Sequence, residues 1–127
     1  MDKSVNPTEW LNRALSNLNL GKNLIQGVNL EDLCFNFQQT VEKSLKAVLI
    51  KNNIKVPRTH SVSELISIAK EHSIDIPENI EANAPMLSVY AVDTRYPDNY
   101  FCIDKEDYNE ALEIAELVYN WAKSIIK

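Results

Sequence analysis

Only two glycines occur in the chain, Gly21 and Gly27, and both flank one short connection. No other feature constrains the fold as much. A sheet rich in tight hairpins calls repeatedly for residues that tolerate positive φ, and this sequence hardly supplies them. Helices joined by a few longer connections have no such need.

The capping pattern agrees with helices. Asn6 is placed to cap a first helix, with Pro7 at its first position and Glu9 three residues past the cap; Trp10, Leu11, Ala14, Leu15 and Leu18 then recur at helical spacing until Gly21. Asn29 is placed to cap a second helix, expected from Leu30 to Lys51, with Glu31 and Asp32 in its first turn where the helix dipole favours carboxylates. Pro57, within NNIKVPRTH, forbids its continuation. Ser61 and Glu64 form a capping-box pattern that opens a short third helix through Leu65, Ile66, Ile68 and Ala69, and Pro77 suits the first turn of a fourth, about Glu78 to Tyr90. VDTRYPDNYFCI reads as irregular. Asp104 and Asp107 then open a last helix on which Tyr108, Leu112, Ala115, Val118 or Tyr119, Ala122 and Ile126 keep the helical period. The expectation is an all-α chain, a five-helix up-and-down bundle forming one domain over residues 1–127.

Composition narrows the function classes. With 127 residues, 45% hydrophobic and 24% charged, the chain has the balance of a soluble globular domain, and no apolar run approaches the roughly 20 residues that cross a bilayer. No membrane association is expected. The opening MDKSVNPTEW has no apolar signal core, and Cys34 and Cys102 sit in apolar surroundings without metal-ligand spacing, which reads as reduced core thiols in a cytoplasmic protein. A net charge of −5 argues against broad capture of nucleic acid, DNA included, although a local basic patch stays open. No Gly-rich phosphate loop, nucleophile elbow or metal-ligand cluster is present, and His60 and His72 fall on different elements. No cofactor and no metal are expected.

The unusual stretch is CFNFQQTVEKSLKA, residues 34–47. Wound as a helix, it aligns Phe37, Val41, Ser44, Leu45 and Val48 on a core stripe that Leu33 also joins. Gln38 and Glu42 border that stripe, while Gln39, Lys43 and Lys46 are expected to turn outward. One reading is a solvated face in which Glu42 pairs with Lys46 at i, i+4. Another is a self-complementary interface between two subunits. A third has Glu42 accepting hydrogen bonds from Arg58 or Arg95, which would tie the second helix to an irregular segment.

The order of motifs resembles a family. C-F-x-x-Q-Q-x-x-E-K-x-L-K-A, then P-R-T-H followed by Leu65, then T-R-Y-P-D ahead of a final helix containing A-L-E-I-A-E, is similar to the HEPN domain (higher eukaryotes and prokaryotes nucleotide-binding), from Glu9 to Trp121. The resemblance implies a helical bundle, frequent homodimers, and pairing with a small nucleotidyltransferase in a prokaryotic toxin–antitoxin-like system. It also implies that ribonuclease members carry an Arg, a short polar spacer and a His in the final-helix region. Here Arg58 is followed two residues later by His60, and the last helix has no histidine.

Candidate ligand-binding residues follow from side-chain chemistry. Arg58, His60 and Arg95 are donors in irregular segments beside proline, and an Arg fork matches phosphate oxygens. Lys43 and Lys46 would add positive charge, Glu42 would order the donors, and Tyr90 and Tyr96 offer faces on which a base could stack. No catalytic residue is assigned. Three functions remain open: a non-catalytic nucleotide- or partner-binding module, a ribonuclease toxin, and a homodimeric scaffold without a ligand.

Overall fold

The computed structural model of the protein describes residues 6–91 and 103–126. Five α-helices run up and down, α1 (Pro7–Gly21), α2 (Leu30–Lys51), α3 (Val62–Glu71), α4 (Glu78–Asn83) and α5 (Lys105–Ile126), with no strand among the described residues. Several helix starts follow the capping chemistry of the sequence. Asn6 Oδ1 accepts from the Thr8 and Glu9 amides at 2.9 and 3.4 Å, and Ser61 Oγ accepts from the Glu64 amide at 3.2 Å. At α5 the exchange is reciprocal: Asp104 Oδ1 accepts from the Asp107 amide at 2.8 Å, and Asp107 Oδ2 from the Asp104 amide at 3.2 Å. Asn29 differs from expectation. It holds the cap position of α2 without a side-chain bond to the helix.

The fourth helix also departs from the sequence reading. It stops at Asn83, and Ala84–Ala91 continues as a 3₁₀ helix. Pro85 supplies the reason, because inside an α-helix its ring meets the carbonyl four residues back and it brings no N–H to the ladder. A tighter turn accommodates it.

Helix α2 is the centre, with α1, α5, the 3₁₀ segment and α3 all packed against it. Its stripe of Leu33, Phe37, Val41, Leu45 and Val48 is buried, as the periodicity implied. At one end α1 terminates against this stripe through Gly21, whose Cα faces the Phe37 ring so closely that a Cβ would overlap it. Tyr108 of α5 closes the corner. Its hydroxyl donates to the Gly21 carbonyl at 2.8 Å and its ring lies 5.3 Å from that of Phe37, centroid to centroid. Among the described residues no helix is long and apolar enough to cross a membrane.

Candidate functional site

The polar residues of α2 form a built network. After α2 ends, the chain turns back along it, and His60 returns to Glu42, about 15 Å from the end of α2 at the rise of an α-helix. Its Nδ1 lies 3.2 and 3.1 Å from Glu42 Oε1 and Oε2. An ionised carboxylate only accepts, so Nδ1–H is the donor and the Nε2 edge is directed elsewhere. Lys46 Nζ donates to Glu42 Oε2 at 2.8 Å, Gln38 Nε2 donates to Oε1 at 3.1 Å, and Gln39 Nε2 in turn donates to Gln38 Oε1 at 2.8 Å. The Lys46 ammonium also stands 5.6 Å from the centroid of Trp10 on α1.

Burial sorts these groups into a foundation and a surface. The Glu42 side chain is 4% exposed and that of Lys46 9%, whereas the His60 ring is 79% exposed. Burial by itself would push the Glu42 carboxyl up, but hydrogen bonds from Lys46, Gln38 and His60, with the charge of Lys46, bring it below the ordinary glutamate value. The site is thus a fixed carboxylate under an exposed imidazole. Beside it Lys43 Nζ donates to Asn17 Oδ1 at 2.8 Å, and Asn17 Nδ2 donates to Asn36 Oδ1 at 2.8 Å, so a polar seam joins α1 to α2. Partial burial lowers the affinity of Lys43 for its proton; Glu42 opposes that change, while Arg13 and Lys46 add to it.

The bundle that carries this network has known relatives. A match to the HEPN domain spans residues 8–125. The chain belongs to the HEPN domain family. Among its relatives, this HEPN chain is 32% identical to the "Putative toxin MJ1304" of Methanocaldococcus jannaschii, across 93% of this chain and 86% of that one. The crystal structure of ST0689, an archaeal HEPN homologue, superposes with a TM-score of 0.77 at 28% identity, covering 96% of this chain and 98% of its own. That of TT1696 from Thermus thermophilus gives 0.82 at 26% identity, with 94% and 97% covered.

Several expected placements change in the HEPN structure. Lys46 does not turn outward: it is buried between Glu42 and Trp10, because the α1 ring covers the position that an isolated α2 would expose. The expected positive shoulder is correspondingly smaller. Glu42 is held by His60 rather than Arg58, which is exposed two residues before it and has no hydrogen bond or ion pair to a described residue. Tyr90 is buried at 7% exposure, and burial, reinforced by Cys34, Asp107, Glu110 and Asp104, pushes its hydroxyl up to about 12. Those neighbours belong to the start of α5 and the first turns of α2, so Tyr90 lies apart from the Glu42 network. Arg95, Tyr96 and Cys102 lie outside the described residues. Cys34 is buried, and burial with Asp107 and Glu31 pushes its thiol up to about 12. Among the described residues no group of three or more His, Cys, Asp or Glu is placed to hold a metal ion.

Trp10 and Asn17 join the network without a distinct signal in the sequence. Gln38 was legible as a border residue. Trp10 and Asn17 depend on how α1 is registered against α2, which helical period alone does not fix.

Proposed function

We propose that this HEPN chain is the non-catalytic member of a toxin–antitoxin-like pair, binding a small nucleotidyltransferase as a homodimer and taking nucleoside phosphates weakly. The observation that carries the reading is the arrangement at Glu42. Both carboxylate oxygens are engaged by Lys46, Gln38 and His60, leaving at the surface the Arg58 fork as a donor and the Nε2 edge of His60, which accepts in the neutral ring and donates when the ring is protonated. Such a pair suits an anion that approaches from solvent. The second histidine, His72, stands at the end of α3, where its Nδ1 donates to the Ile68 carbonyl at 2.9 Å. Further support comes from the similarity to a chain described as a putative toxin. Purification from the native host tests the proposal: a nucleotidyltransferase arriving in stoichiometric amount, with a dimer mass by light scattering, is the expected result. A lone monomer that ignores ATP at low salt overturns it.

One observation favours a second reading, ribonuclease action. A carboxylate that fixes Nδ1 and leaves Nε2 free is the arrangement by which acid–base histidines are oriented. Structured RNA incubated with the purified protein in chelator decides between the two. Intact RNA supports the binding module, whereas cleavage that disappears in His60→Ala supports the nuclease.

A further inference from the structure

The Glu42 network fixes which nitrogen of His60 can change as well as where the ring lies. Because Nδ1 keeps its hydrogen in the bond to Glu42, the proton that the ring gains or loses sits on Nε2, at the edge of a side chain that is 79% exposed. In the neutral ring that nitrogen presents a lone pair, and in the protonated ring an N–H. An incoming oxyanion is repelled by the first and meets a charge-assisted donor in the second. Between pH 5 and 8 imidazole is the side chain whose charge ordinarily changes.

Lys46 decides how much of that added charge reaches solvent. A carboxylate against an imidazolium would by itself neutralise it, and a neutralised donor attracts an anion weakly. Here the Glu42 charge is already matched from inside by Lys46 at 2.8 Å, with both side chains less than a tenth exposed. The buried pair sums to zero, so a proton on His60 leaves one uncompensated positive charge at the surface. The lowered proton affinity of Glu42 keeps that carboxylate ionised while the ring titrates.

Arg58 brings a second positive charge, exposed two residues before His60 and without a hydrogen bond or ion pair to a described residue. On the elements around them stand Lys43 of α2, bonded to Asn17, Arg13 of α1, paired with Glu9, and the exposed Glu64 in the first turn of α3. Trp10, which α1 sets over Lys46, carries no charge. Arg58 attracts an anion at any pH in the neutral range, whereas His60 attracts one only with a proton on Nε2.

We propose that the anion site is operated by a proton: an oxyanion and a proton on His60 Nε2 bind together, so the site fills as the pH falls and empties as it rises. The inference rests on the anion site given under Proposed function and adds its regulation. Sulfate is the probe, because its charge is the same at pH 5.5 and pH 8 and a change in affinity then belongs to the protein. Calorimetric titration in low salt compares wild type, His60→Asn and Arg58→Ala at both values. The asparagine amide can stand where Nδ1 stands and keep the bond to Glu42, while the titrating edge is gone; it also retains every other charge of the chain. The expected result is sulfate binding about fivefold tighter at pH 5.5 in wild type, equally weak at both values in His60→Asn, and weaker at both in Arg58→Ala with the ratio preserved. Linkage is reciprocal, so proton NMR of the two histidine rings supplies a second readout: sulfate should move the titration of His60 to higher pH and leave that of His72, bonded to the Ile68 carbonyl, where it was. Equal affinity at both values in wild type, or the same pH dependence in a folded His60→Asn, overturns the proton gate and leaves the anion site standing. Absence of sulfate binding in wild type at either value overturns the anion site and the gate with it. Should His60→Asn fail to fold, the wild-type NMR titration decides, and a His60 curve that sulfate does not move overturns the gate.

Discussion

Lys46 donates to Glu42 at 2.8 Å with both side chains less than a tenth exposed, making an ion pair one helical turn long inside the α1–α2 interface. Exposed pairs at this spacing stabilise a helix by about 0.2 to 0.5 kcal/mol. This one is governed by desolvation instead, since either charge left alone in that setting costs about 3 to 5 kcal/mol. Lys46→Met should therefore destabilise the protein by an amount nearer the larger figure, and Glu42→Leu/Lys46→Met by clearly less than the sum of the single changes. Denaturant unfolding of the three variants checks this, and strictly additive losses would count against it.

The acid limb of stability should report Glu42. Its folded carboxyl holds its proton less tightly than in the unfolded chain, so its contribution is fully present above the ordinary glutamate value of about 4.3 and disappears as pH falls through the lower folded value. The groups facing it are Lys46, Gln38 and His60. Thermal melts from pH 7 to pH 3 should show a decline at the acid end that is shallower in Glu42→Gln.

At the opposite corner, Gly21→Ala and Tyr108→Phe should each lower the melting temperature by different routes. The first forces the Phe37 ring to move, an overpacking of about 1 to 3 kcal/mol. The second leaves the Gly21 carbonyl without its buried hydroxyl donor, again about 1 to 3 kcal/mol. Circular dichroism melts measure both.

Arg58→Ala should leave stability within about 0.5 kcal/mol of wild type, because the side chain is exposed. Under the proposed function its effect is on ligand affinity. A single exposed charge contact is worth about 1 kcal/mol or less, so ATP binding in low salt should weaken by about fivefold at most, and less at high salt. Titration calorimetry at two salt concentrations reads both numbers.

What the sequence made legible was whatever depends on one helix at a time. The caps Asn6, Ser61 and Asp104, the buried stripe from Leu33 to Val48, and the i, i+4 relation of Glu42 to Lys46 are all local patterns. The site's partners are not local. His60 stands eight positions past Asn52, a stretch that can extend roughly 26 to 29 Å, ample for the backward reach of about 15 Å to Glu42. That reach fits Arg58 as well as His60, and nothing in the sequence chooses between them. Lys46 was misplaced for a related reason: whether a lysine at the edge of a stripe is wet depends on what lies above it, and here that is Trp10 from another helix.

The single proline in the fourth helical segment also decides which aromatic is hidden. In the 3₁₀ stretch the buried residues are Ala84, Leu87 and Tyr90, every third position, as three residues per turn demands. A 3₁₀ helix advances about 120° per residue and an α-helix about 100°, so over the five residues from Pro85 to Tyr90 the two diverge by about 100°. Had the α-helix run on, Tyr90 would have swung from the core toward the rim of the bundle, with its ring available to a visitor. One imino ring at position 85 thus acts as a rotational gear, turning into interior packing a tyrosine that could otherwise have been a stacking platform.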